Sequence, residues 1–208
     1  KVHISEIDYI IENDNPLFEL PEIPITDVEN KLAEFIVDLI PDGATIQLGF
    51  GGLGNAIGHM LHGKKDLGMH SEVVTPSVTE LVKAGVLTCS NKNFYPGKII
   101  TAFAVGTKQF YDDLNRNELF EFKEVHWVNQ PMNIAQNDNL ISINNTLMID
   151  LTGQAASESI GTKQYSGTGG QVNFNQGAKM SKGGKRILAL ASTYTDKDGK
   201  LKSKLLPT

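Results

Sequence analysis

From residue 44 onward, short apolar or β-branched runs alternate with stretches of helical spacing, and this alternation constrains the fold more than any other feature. Ala44–Leu48 reads as a buried strand, Gly49–Gly54 as a glycine-rich turn, and Asn55–His62 as a helix. Further strands are expected at Ser71–Val74, Ile99–Phe103, Val125–Val128, Leu140–Ile143, Leu147–Leu151 and Arg186–Thr193, with helices at Ser77–Ala84 and Thr107–Leu114. Such alternation argues for an α/β fold with an open, mostly parallel sheet flanked by helices. Ligands of these sheets bind at the carboxyl ends of the strands.

Residues 1–26 read differently. A short strand at Val2–Ile4 is followed by an extended linker holding Glu12, Asp14, Pro16, Pro21 and Pro24. Thr26 and Asp27 form a helix-cap signal. Val28, Leu32, Phe35, Ile36 and Ile40 then recur at helical spacing until Pro41-Asp42-Gly43.

Composition excludes several classes. The chain has 208 residues, 40% of them hydrophobic and 21% charged, enough for a substantial core. A net charge of -5 argues against a nucleic-acid partner. No apolar run approaches the ~20 residues of a membrane helix, and no charged-then-apolar leader is visible. The single cysteine, Cys89, allows no internal disulfide, which fits a reducing, cytoplasmic setting; its Val-Leu-Thr-Cys context suits a buried filler. With no initiating Met and an end at Leu205-Leu206-Pro207-Thr208, the chain reads as a piece of something longer.

Gly49-x-Gly51-x-x-Gly54 follows a strand and opens a helix, the pattern of a dinucleotide fingerprint. Glycines let a backbone approach a ligand, and a helix N-terminus offers N–H groups to an anion. The same pattern also makes a plain strand-to-helix turn. The dinucleotide reading requires an acidic residue about 20 positions on, and Glu72 lies there. Glu72 therefore has four readings: base, nucleophile, ribose ligand or solvated strand end.

Gln47-x-Gly49-x-Gly51 followed by Asp66-Leu67-Gly68-Met69-His70-Ser71-Glu72 resembles the acetyl-CoA hydrolase/transferase family, which includes 4-hydroxybutyrate, butyrate and acetate CoA-transferases. The likeness continues in family order through Pro96-Gly97-Lys98, Phe103-Ala-Val-Gly, the run Asn133–Asn139, Ser142-Ile-Asn144, Asp150-Leu-Thr-Gly-Gln154, Ser159-Ile-Gly161, the run Tyr165–Gln171, and Ser181-Lys-Gly-Gly-Lys185. The family's usual Ile-Pro after the glycine turn is replaced here by Leu53-Gly54.

The resemblance implies a CoA-transferase (NagB-RpiA-like) fold. Residues 1–26 would be the tail of a first domain plus a linker, and 27–208 a second, catalytic-glutamate domain truncated at its C-terminus. It implies Glu72 as the nucleophile. Gly49, Phe50, Gly51, Gly52 and Leu53 would contact CoA, as would Gly169, Gly170 and Gln171, with the N–H groups of Phe50 and Gly170 serving the oxyanion. The implied reaction moves CoA between short-chain carboxylates through a glutamyl-CoA thioester, with ping-pong kinetics and no ATP or metal. Acyl-CoA and a carboxylate are the implied partners, together with a missing first-domain portion or companion chain and a homo-oligomeric assembly. Two alternatives stay open: an acyl-CoA hydrolase using the same glutamate, and an NAD- or nucleotide-binding module using the Gly49–Gly54 turn.

Other clusters carry less. Lys179, Lys182, Lys185 and Arg186 form either a solvated basic loop or contacts to CoA phosphates, Lys185 being favoured for the latter. His59-x-x-His62 lacks a third ligand at suitable spacing, so no metal is expected. Asp112-Asp113 reads as a solvated face or cap. Asn133, Asn137, Asn139, Asn144 and Asn145 read as turn makers, some available to line an acyl pocket. Trp127 with His126 reads as core or interface.

Overall fold

The computed structural model describes residues 3–207. Residues 7–25 run without helix or strand. They reach the body where the Phe18 carbonyl accepts from the Tyr111 hydroxyl (2.8 Å) and the Leu20 N–H donates to Gly106 (2.9 Å). The expected Val2–Ile4 strand falls partly outside the described residues; Ile4–Glu6 is a single 3-10 turn.

Helix α1 (Asp27–Val37) begins at a reciprocal cap. The Glu29 N–H donates to Thr26 Oγ1, and the Thr26 N–H donates to Glu29 Oε2 at 2.8 Å. Strand β1 (Thr45–Leu48) is buried throughout. Helix α2 (Gly52–Met60) starts three residues earlier than the spacing indicated, so Gly52 and Gly54 are helical. Strand β2 (Gly68–Met69) is short, and the chain then bends into β3 (Val73–Val74). Of the expected strand at 71–74 only Val73–Val74 is strand; Ser71 and Glu72 form the bend before it. Helix α3 (Pro76–Lys83) follows. The expected strand at 99–103 is divided into β4 (Ile99–Thr101) and β5 (Phe103–Ala104). Helix α4 (Lys108–Leu114) and strand β6 (Phe120–Phe122) come next.

Residues 125–128 correct the sequence reading. They form not a strand but a short helix, α5 (Val125–Val128), in which the Val128 N–H donates to the Glu124 carbonyl. A four-residue apolar run has no periodicity to separate strand from helix, and only Val128 of the four is buried. A second turn of helix, α6 (Pro131–Ile134), precedes the longest strand, β7 (Leu140–Asn145). Strands β8 (Met148–Asp150), β9 (Ala155–Ala156), β10 (Ser159–Ile160) and β11 (Lys163–Gln164) are small. Helix α7 (Gln171–Met180) was not anticipated from the sequence. Strand β12 (Lys185–Ala189) stops four residues short of the expected Thr193, which instead opens β13 (Thr193–Thr195); β14 (Leu201–Ser203) and β15 (Leu205–Leu206) close the order.

The central sheet has the order β12-β7-β1-β2, and every neighbouring pair is parallel. In register, Leu48 pairs with Ile143, which pairs with Ile187, so the carboxyl ends of the strands lie on one side of the sheet, with β7 and β12 running two residues past β1. β3–β5, β4–β6 and β8–β15 are also parallel, while among the described residues the antiparallel pairs lie beyond β7. The sheet is therefore mostly parallel with helices packed on it, as expected. A main core joins α1, α2, α3 and the central strands. A smaller cluster of Ile100, Val128, Ile134, Leu140, Phe174 and Ala178 seats α5, α6 and α7 beside it.

Candidate active site

Glu72 sits where β2 leaves the sheet, and its backbone is held from both sides. The His70 N–H donates to Ile46 of β1 (3.1 Å), and the Ser71 N–H donates to Ile100 of β4 (3.0 Å). The Glu72 carbonyl accepts from the N–H groups of Ala102 and Phe103 (3.0 and 3.2 Å) and from Thr101 Oγ1 (3.1 Å). Ser71 Oγ donates to the Leu48 carbonyl at the end of β1 (3.2 Å). The carboxylate itself is partly exposed and opens onto a cavity of about 220 Å³ at the carboxyl edge of the sheet.

That cavity brings together most of the residues singled out from sequence. Gly49 and Phe50 line one wall, and Gly169, Gly170 and Gln171 the other. Phe103 and Phe174 contribute apolar surface. Gly51 is the cap residue of α2, with φ of 121°, a conformation open to glycine. Gly52 and Leu53 are buried in the first turn of α2, Leu53 within the main core, so only their backbone is available to a ligand.

Gly170 is pressed against Glu72. A Cβ placed on it would overlap Glu72 Oε2 and come within 2.8 Å of Asn129 Nδ2. Gly170 caps α7, and the Gln171 side chain donates to the Asn145 carbonyl at the end of β7 (2.6 Å). Two glycine-rich helix starts thus flank one carboxylate. Both offer backbone N–H groups left without partners inside the helix.

Lys185 is not brought to this site. It lies at the start of β12, the opposite end of the sheet, and its Nζ donates to the Leu39 carbonyl (2.9 Å). His59 Nδ1 lies 3.4 Å from Glu80 Oε2, and His62 is exposed. Among the described residues no three His, Cys, Asp or Glu side chains cluster as a metal site, and no helix is long and apolar enough to cross a membrane. Cys89 is fully buried, and burial pushes its thiol pKa up.

Sequence reasoning missed Asn129. Its Nδ2 donates to Glu72 Oε2 at 2.6 Å. Asn129 lies 57 positions from Glu72 and follows a run misread as strand, so no local pattern marked it. The asparagine-rich stretch does contribute to the cavity wall through Asn144. Gln47 Oε1 accepts from Ser142 Oγ (2.7 Å) and Asn144 Nδ2 (3.0 Å), and Gln47 Nε2 donates to Asn144 Oδ1 (3.1 Å). This buried network lies directly under the Gly49 turn, whose N–H donates to Ile143.

Residues 106–208 match the model of the acetyl-CoA hydrolase/transferase C-terminal domain. Over 92% of its length the chain is 50% identical to the 4-hydroxybutyrate coenzyme A transferase of Clostridium kluyveri, covering 45% of that protein. Over its whole length it is 44% identical to the butyryl-CoA:acetate CoA-transferase of Anaerostipes caccae, covering 47% of it. The crystal structure of RipA from Yersinia pestis superposes on the whole chain with a TM-score of 0.89 at 42% identity, over 46% of the RipA chain. The 4-hydroxybutyrate CoA-transferase structure from Porphyromonas gingivalis does so with a TM-score of 0.85 at 38% identity, over 49% of its chain. The chain spans about half the length of the curated relatives it matches.

Proposed function

The chain belongs to the acetyl-CoA hydrolase/transferase family, and from that premise we propose that the full-length protein transfers CoA between short-chain carboxylates with Glu72 as the group that carries it. The observation that supports this most is the setting of the carboxylate. One oxygen of Glu72 accepts from Asn129, the other has no hydrogen-bond partner among the described residues, and glycine backbone lies on both sides. The relatives' names point to acetate, butyrate and 4-hydroxybutyrate as the acids.

Carboxylates are weak nucleophiles in water because they are strongly solvated; enclosure and alignment against a thioester raise their reactivity. In this reading Glu72 Oε1 attacks the thioester carbonyl of an acyl-CoA. The C–S bond breaks, giving a mixed anhydride and CoA thiolate. The thiolate then attacks Cδ of Glu72, and the acyl group leaves as its carboxylate. The resulting glutamyl-CoA thioester meets a second carboxylate, and the same steps in reverse release a new acyl-CoA and free Glu72. Each tetrahedral intermediate places a negative oxygen between the two turns. The N–H groups of Phe50 and Gly170 are the proposed donors, and loss of one such donor typically costs about 3–4 kcal/mol. Gly49, Gly51, Gly52, Leu53, Gly169 and Gln171 would shape the CoA path by their backbone. The rest of the full-length polypeptide would close the site, and a homo-oligomer is the proposed assembly.

A trapping experiment tests this. The full-length protein is incubated with acetyl-CoA, treated with borohydride or hydroxylamine, and digested for peptide mass mapping. Modification of Glu72 is the expected result. An unmodified Glu72 in an enzyme that still turns over would sink the proposal. If Glu72 is modified but the thioester yields to water as fast as to butyrate, the hydrolase reading of the same glutamate replaces transfer.

A further inference from the structure

The chemistry above makes no use of His70, yet this side chain is fully buried two residues before Glu72. Its Nε2 lies 2.9 Å from the Val128 carbonyl. A carbonyl can only accept, so Nε2 carries the proton and donates. Nδ1 is then the bare nitrogen, and it receives an N–H from Asn137 Nδ2 at 3.1 Å. The same Asn137 amide donates to the Ile134 carbonyl at 3.0 Å, which fixes its orientation. The rings of Phe94 and Trp127 lie parallel to the imidazole with centroids 6.4 and 6.3 Å away, and Phe174 stands edge-on at 6.0 Å. Burial pushes the imidazole down to about 4, so it is neutral at ordinary pH.

The carbonyl that His70 holds belongs to the residue before Asn129, and Asn129 Nδ2 donates to Glu72 Oε2. A closed ring therefore runs from Glu72 along the backbone to His70, across to Val128, on to Asn129 and back to the carboxylate. Resting on the reading of Glu72 as nucleophile, we propose that His70 is a positioning residue. Through the Val128 carbonyl it would set the end of α5, so that the Asn129 amide holds Oε2 and Oε1 faces the thioester. Burial alone requires both ring nitrogens to be satisfied; what singles out this histidine is that the carbonyl it holds adjoins Asn129.

The test uses the full-length protein and transfer from acetyl-CoA to butyrate, with kcat and KM measured separately for His70→Leu, His70→Gln, His70→Asn, Asn129→Ala and the double variant His70→Leu/Asn129→Ala. His70→Leu should lower kcat by about 30-fold, with KM unchanged within about twofold, because the binding surfaces are untouched. The double variant should be no worse than the poorer single within about threefold, since both act through one contact. His70→Gln extends a donor to roughly the place of Nε2 and should recover about tenfold; His70→Asn is too short and should not. Effects that multiply in the double variant, a kcat for His70→Leu within twofold of the parent, or equal behaviour of Gln and Asn would each overturn the proposal. Should His70→Leu fail to fold, the Gln-against-Asn comparison decides. Persistent transfer by Glu72→Ala would instead remove the parent reading, whatever His70 does.

Discussion

The two glycine-rich turns beside Glu72 look alike in sequence but answer different physical demands. In the first, the backbone requires glycine at two positions: Gly51 has a φ of 121°, and a Cβ on Gly54 would overlap the Gly49 carbonyl. A Cβ on Gly52 would meet the Glu29 carboxylate that caps α1. In the second, Gly167 and Gly169 have open space around them, and only Gly170 is crowded. What crowds Gly170 is the Glu72 carboxylate, with Asn129 behind it. The first turn is thus crowded chiefly by its own packing and the second by the Glu72 carboxylate, and this difference can be broken or sharpened by substitution.

The largest effect is expected at Gly170. In Gly170→Ala the methyl group meets the far end of a side chain, which can swing away. The fold should therefore survive while the carboxylate is displaced. Transfer by the full-length protein should fall by about 10²–10³ in kcat, since misplacement of a reacting group by an ångström costs about that much. Its thermal midpoint should move little. Equal losses of stability and activity would erase the distinction between the turns. Gly54→Ala should differ by losing stability. A backbone carbonyl cannot move aside freely, so we expect a loss of about 3 kcal/mol in urea unfolding, and because the Gly49 carbonyl shares its peptide unit with the Phe50 N–H, kcat per folded molecule should fall as well.

The turns also rest on different supports. Beneath the first lies the uncharged network of Gln47, Ser142 and Asn144, whereas the second leans through Phe174 and α5 on the titratable His70. His70 has a folded pKa of about 4, below its ordinary 6.5. Between these values the unfolded chain holds a proton that the folded chain lacks, so stability falls as pH drops from 6.5 towards 4. From pH 6.5 to 5 this amounts to about 2 kcal/mol. Hydrogen-exchange protection factors, corrected for the intrinsic pH dependence of exchange, should accordingly fall in residues 125–137 before residues 45–58 as the solution is acidified. A fall that is uniform, or that begins in the first turn, would contradict the assignment of supports.

How far this was legible in sequence follows the same division. The first turn and its strand were readable because glycine spacing and a buried Ile46–Leu48 run are local signals. Glu72 was singled out through neighbouring motifs rather than through its contacts. The contacts of Asn129 and His70, and helix α7, were not read, because those contacts span 57 or 58 positions and the helix has weak amphipathicity. The Val125–Val128 helix was misassigned for want of periodicity. Where side chains meet only after folding, sequence order carries no trace of the contact.

The smallest effect is expected at Lys185, and it bears on which end of the sheet binds CoA. Its place in a basic, glycine-containing loop suggested a contact with CoA phosphates. In the folded chain its ammonium instead donates to Leu39 past the end of α1, at the start of β12, while the glycine turns lie at the strands' far ends. The side chain is exposed, and exposed charged contacts contribute little, about 0–1 kcal/mol. Lys185→Ala in the full-length protein should therefore leave the KM for acetyl-CoA within about twofold, or less than about 0.5 kcal/mol. Gly170→Ala, by contrast, should change the catalysed rate strongly. A rise in that KM of about tenfold or more, relieved at high salt, would mean that CoA phosphates reach the β12 start. The two glycine turns could not then be the whole of the CoA path.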